Sequence, residues 1–99
     1  MAIKTAQTDA AETQAIDILS FLAADPERLG RFLTLTGVDP SDIRRLMKEQ
    51  GFWQAIFDHL FDDESLLLAY CAEHQIQPTA LVRIRHSLSR PNEEGLREG

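Results

Sequence analysis

Cys71 and His74 stand three residues apart in an apolar stretch, the spacing at which a thiolate and an imidazole share one helix face and could share a metal ion. Two more ligands would have to come from elsewhere, and Cys71 is the chain's single cysteine, which excludes a cysteine-rich zinc site or an internal disulfide. A small buried thiol accounts for Cys71 more simply, so neither a metal nor a cofactor is expected. The carboxylates Asp58, Asp62, Asp63 and Glu64 surround His59, which offers acid–base groups and oxygen ligands for a hard cation. Two of them stand just ahead of an apolar run, where a helix N-terminus favours negative charge, so capping and a solvated acidic face explain them without catalysis. No glycine-rich phosphate loop and no nucleophile elbow occurs. The chain is therefore expected not to be an enzyme.

Two further patterns point to binding. Phe32 to Leu46 resembles a helix-turn-helix, with Gly37 in the turn, apolar Val38 directly after it, and Ile43 and Leu46 beyond. Within the segment 29–49, Ser41, Arg44, Arg45 and Lys48 are then the residues that could face DNA. Bulky Leu33 stands where that motif has a small residue, and Asp39 and Asp42 lie where phosphates would approach, so an ordinary helical hairpin fits the same residues. The second pattern is aromatic. Phe52, Ile56 and Leu60 form one i, i+4 row, and Trp53, Phe57 and Phe61 form another. A core is their natural home, but the apolar arc is wide for so short a chain. Trp53, Phe57 and Phe61 are thus candidates for a surface that meets an unknown protein partner or a second copy.

The elements that must position these groups are helices. Apolar residues recur at three and four throughout, and no useful stretch alternates with period two. A first helix is expected over about 11–24. Asp25-Pro26, Asp39-Pro40, Asp62-Asp63 and Gln77-Pro78 are opening signals for later ones. Gly37 closes the second, Gly51 the short third, and the fourth spans about 52–61. The fifth ends at His74, its three consecutive leucines, Leu66 to Leu68, suggesting a central position, and the sixth ends before Pro91. Leu22 and Leu67 are expected in the core. The fold class is all-α: a small single-domain bundle of five or six short helices over residues 10–90, with residues 1–9 and 91–99 as frayed tails. At 99 residues the chain can bury one core without disulfides. No apolar run is long enough to span a membrane and the start lacks a secretory apolar region, so a cytoplasmic protein is expected. A net charge of −6 opposes nonspecific nucleic-acid binding on average.

A shift of 38 residues, the separation of Ile18 and Ile56, also aligns Leu22 with Leu60, Asp25 with Asp63, Leu29 with Leu67 and Pro40 with Pro78. Helical periodicity alone creates some such matches. Two related helix triplets are nonetheless a candidate organisation.

The run Asp17-Ile18-Leu19-Ser20-Phe21-Leu22-Ala23-Ala24-Asp25-Pro26-Glu27-Arg28-Leu29-Gly30-Arg31-Phe32-Leu33, followed by Asp58-His59-Leu60 and Asp63-Glu64-Ser65-Leu66-Leu67, resembles the alphaproteobacterial domain-of-unknown-function family 3572. The resemblance covers most of residues 12–88. It implies a small bacterial cytoplasmic protein and carries over no catalytic residues. Together these observations suggest a non-catalytic protein-interaction module, with a DNA-binding regulator as the alternative.

Overall fold

Aspartate or proline stands at the start of most of the helices after the first. In the computed structural model, which describes the backbone of residues 2–98 and the side chains of residues 10–88, α1 spans Ala2–Ala23 and α2 spans Pro26–Thr36. A 3₁₀ turn, Pro40–Asp42, runs into α3 (Ile43–Leu46), followed by α4 (Gln50–Phe61), α5 (Glu64–His74) and α6 (Pro78–Glu98). The Asp25 carboxylate accepts the Glu27 N–H at 3.0 Å, and Asp63 accepts that of Leu66 at 3.1 Å, each relieving an orphan donor of the helix it precedes. Gly37 closes α2 in the left-handed conformation, φ 74°, with its N–H on the Leu33 carbonyl.

Several boundaries differ from expectation. The first helix begins at Ala2 rather than near Ala11, because alanine-rich 2–11 continues a helix at little cost once α1 is nucleated. The last runs on past Pro91 to Glu98; proline forfeits one helical bond there, but its fixed φ is itself helical. The expectation of frayed ends falls largely on residues whose side chains lie outside the described ones. The third helix is a single α turn on a 3₁₀ turn. Nor is α5 central: Leu66 and Leu67 are half-buried and Leu68 is 52% exposed.

The core is built by α1 and α4. Ile18, Leu22, Ile56, Phe57 and Leu60 are fully buried between them, with Phe32, Tyr70 and Leu81 brought in by α2, α5 and α6. Trp53 is buried too, its indole N–H donating to the Met47 carbonyl at 2.6 Å.

The 38-residue shift recurs in the geometry. It carries the end of α1, Ala23, onto the end of α4, Phe61, and carries α2 onto α5, both 11 residues long. Asp25 N to Leu22 O at 3.1 Å is matched by Asp63 N to Leu60 O at 3.3 Å, and Leu29 N to Asp25 O at 3.0 Å by Leu67 N to Asp63 O at 2.9 Å. The left-handed closing residue Gly37 is matched by Gln75, φ 53°. Contacts between the halves exchange in the same way. Phe21 meets Tyr70 edge-on at 5.2 Å and 75°, and their counterparts His59 and Phe32 meet at 5.1 Å and 78°. A pseudo-twofold axis therefore relates two helix triplets, with α1 and α4 packed across it. The third members diverge: α3 is truncated, whereas α6 is long enough to pack along α1.

Candidate functional site

The two symmetry-related places where a hairpin helix leans on the opposite half are chemically unlike. In the first, α5 meets α1 through a polar latch. The Tyr70 hydroxyl donates to Asp17 Oδ2 at 2.5 Å and accepts from Gln14 Nε2 at 2.6 Å. His74 Nδ1 lies 3.2 Å from the same carboxylate oxygen, and the imidazole stacks on the Tyr70 ring at 4.4 Å. Burial, and then the Asp17 bond and charge, push the Tyr70 hydroxyl well above its ordinary pKa, so it stays protonated and is no base at neutral pH. The latch positions helices.

In the second place the shift sets Phe52 opposite Gln14, Ala55 opposite Asp17, Phe32 opposite Tyr70 and Thr36 opposite His74. Phe52 packs edge-on to Phe32 at 6.1 Å, replacing the Gln14 contact with an apolar one. Ala55 and Thr36 are too small to replace a carboxylate and an imidazole. What stands there is a hollow of about 380 Å³ lined by Arg31, Leu35, Thr36, Ala55, Asp58, His59, Asp62 and Asp63. Leu35, at its edge, is 65% exposed, the most exposed large apolar side chain among the described residues.

Past His59 the hollow adjoins a second, of about 310 Å³, lined by Glu27, Arg28, Arg31, Ser65, Leu66 and Ala69 with Asp63. Glu27, Arg28 and Arg31 are the 38-residue counterparts of Ser65, Leu66 and Ala69, so this hollow sits over the pseudo-axis. Both hollows share Arg31, His59 and Asp63 and form one groove between α2 and the α4–α5 junction. Burial against Phe32 is the main influence that lowers the His59 pKa and Arg31 adds to it, while Asp63 and Asp62 pull the other way. Asp58 is held by Arg85, Nη2 to Oδ1 at 2.6 Å, and Arg28 lies over the Phe21 ring at 4.3 Å. Asp62, Asp63 and Glu27 therefore face Arg31 and leave the groove net acidic.

The residues singled out from sequence are distributed differently. Trp53 is 4% exposed and Phe57 fully buried, so the aromatic surface expected of Trp53, Phe57 and Phe61 is corrected: the first two belong to the core. Phe61 is half-buried with the Arg85 guanidinium over its ring at 4.9 Å. Ser41, Arg44, Arg45 and Lys48 are all exposed on or beside α3. Ser41 Oγ is engaged by Asp39 at 2.8 Å and Arg45 approaches Asp42 at 3.5 Å. A one-turn α3 is too short to lay a recognition helix along a major groove. Cys71 is buried, which raises its thiol pKa, and its neighbour His74 turns to Asp17 instead. Among the described residues no three His, Cys, Asp or Glu side chains could hold a metal ion. Gln14, Asp17, Tyr70 and the hollow's Arg31, Leu35, Thr36 and Ala55 were not indicated by any motif. Their signal was the 38-residue shift, which sets Ala55 against Asp17 and Thr36 against His74.

These features define a small all-helical domain of two related helix triplets with a solvent-open groove on one side. The family model described as protein of unknown function, DUF3572, matches residues 8–91, and the chain belongs to that family. A search of curated proteins and a search of solved structures each found no match. No helix among the described residues is long and apolar enough to cross a membrane.

Proposed function

We propose that the chain is a non-catalytic protein-interaction module of a bacterial cytoplasm, and that its contact surface is the groove between α2 and the α4–α5 junction. The observation that carries this is the hollow at Thr36 and Ala55, rimmed by exposed Leu35, at the place where the other half of the domain is closed by its own side chains. An exposed leucine beside a concave, partly polar surface is the composition of a contact site. Two of the carboxylates nearby are engaged structurally: Asp63 caps α5 and Asp58 holds Arg85.

Photo-crosslinking in the cells that make the protein tests this. A benzophenone side chain at Leu35 should capture a protein that the same group at exposed Ala72, on α5, does not. Equal capture at both positions would count against the groove. The exposed Arg44, Arg45 and Lys48 support a second reading, in which α3 contacts DNA through phosphates. A salt-steep complex with mixed duplex DNA, lost in an Arg44→Ala, Lys48→Ala variant, would favour it over the groove.

A further inference from the structure

Building on the groove as contact surface, we infer that its partner is a basic segment that inserts an arginine into the hollow beside Ala55 and Thr36 and covers Leu35 with an apolar neighbour. The pseudo-symmetry says what the hollow lacks. In the latched half, an imidazole from position 74 stacks on the Tyr70 ring and meets the carboxylate of Asp17. In the open half, the corresponding positions 36 and 55 supply neither the planar nitrogen group nor the carboxylate at its original place. The space is kept, and its walls supply the rest: the His59 ring on one side, and Asp62 and Asp63 at the end of α4. A guanidinium is planar and cationic, so it can lie against the imidazole while its N–H groups reach a carboxylate, doing from a partner what His74 does from within. Asp62 forms no salt bridge among the described residues and is exposed, so it can turn to the incoming cation.

The charge of the groove selects the sign of the partner. With Asp58 taken up by Arg85 and Arg28 drawn towards Asp25 and Phe21, the charges outside an ion pair are Glu27, Asp62 and Asp63, the last also capping α5, against Arg31. An acidic segment would meet three carboxylates. A basic one is repelled by Arg31 and, more weakly, by Arg28, whose charge is partly met by Asp25, both on the α2 wall. The chain as a whole carries −6, which speeds encounter with a basic segment. Leu35, one helical turn beyond Arg31 on α2, sets the place of the partner's apolar residue.

Fluorescence anisotropy with the full chain and labelled synthetic peptides tests this. The probes are a peptide of arginine and leucine, its citrulline-for-arginine version, and its glutamate-for-arginine version. The arginine peptide should bind, and Thr36→Trp, which fills the hollow from an exposed position, should weaken it about tenfold, the loss expected when a central anchor is excluded. Asp62→Asn should weaken it by a similar factor, whereas Glu73→Gln, an exposed carboxylate on α5 outside the groove, should change it less than twofold, about the limit for a distant exposed charge. Circular dichroism of each variant should stay unchanged, so that lost binding is not lost folding. Equal loss in Glu73→Gln and Asp62→Asn would reduce the interaction to net charge and overturn the proposal. Binding of the citrulline or glutamate peptide that Thr36→Trp abolishes would overturn the arginine while leaving the groove as contact surface. Binding of the arginine peptide that Thr36→Trp leaves intact would overturn both.

Discussion

His59 occupies, one repeat later, the position of Phe21, and each ring leans edge-on against the buried aromatic of the other half. A hydrocarbon ring has no titration; the imidazole does. Burial and Arg31 hold His59 below the usual histidine pKa, so below that value the unfolded chain binds more protons than the folded one. Stability should therefore fall as pH drops through about 6.5 towards the lower pKa of the folded state. In His59→Gln that part of the slope should vanish, as read by urea melts of both proteins between neutral and mildly acidic pH. A parallel slope in the variant would mean that His59 is not the group. At Tyr70 the buried hydroxyl serves Asp17 and Gln14 together, and Tyr70→Phe should cost about 1.5–3 kcal/mol in the same melts. Leu22→Ala removes a fully buried side chain and should cost about 2–5 kcal/mol. Leu67→Ala should cost less, since Leu67 is only half-buried. The caps at Asp25, Asp39 and Asp63 were legible in the sequence because each acts on a backbone group within three residues. The latch was not, because Tyr70 and Asp17 are 53 residues apart in the chain and only the fold brings them together.

At the scale of elements, helix identity was set by local signals and followed them closely. What local signals miss is how far a helix is needed by its neighbours. Three consecutive leucines drew α5 towards the centre, yet α1 and α4 fill that position and leave Leu68 in solvent. The short third helix expected to close at Gly51 is shorter still, Ile43–Leu46. Its end coincides with the Trp53 indole on the Met47 carbonyl, a bond that a continuing helix would need for its own ladder. The equivalent closing residues of α2 and α5 give a paired prediction. A Cβ at Gly37 would meet nothing within 4 Å, so Gly37→Ala is strained only by its φ of 74° and should cost about 1 kcal/mol. Gln75 already bears that strain at φ 53°, and Gln75→Gly should gain about as much. Thermal melts of the two variants should move in opposite directions. Movement in the same direction would contradict the equivalence of the two caps.

At the scale of the whole molecule, the duplication that the sequence offered as a candidate is repeated in helix ends, backbone hydrogen bonds and ring contacts, all at one shift. Only a few identical pairs survive in the sequence, since a buried position asks for an apolar body rather than one residue type: the rings of Phe32 and Tyr70 serve as one pair, although only Tyr70 adds a hydroxyl. The two triplets complete each other's cores. Residues 1–49 and 50–99 produced separately should each show little helix, and mixing them should restore it, as circular dichroism would record. Stable folding of either half alone would contradict a shared core. The hollow could be located only from the folded chain, because it consists of space left where Ala55 and Thr36 replace larger groups. The most direct test of that hollow as a contact site is an amide chemical-shift map of the isotope-labelled chain titrated with the arginine–leucine peptide. Saturable shifts confined to residues 31–36 and 55–63 are predicted. Shifts centred on residues 41–48, or spread evenly over the acidic surface, would contradict it.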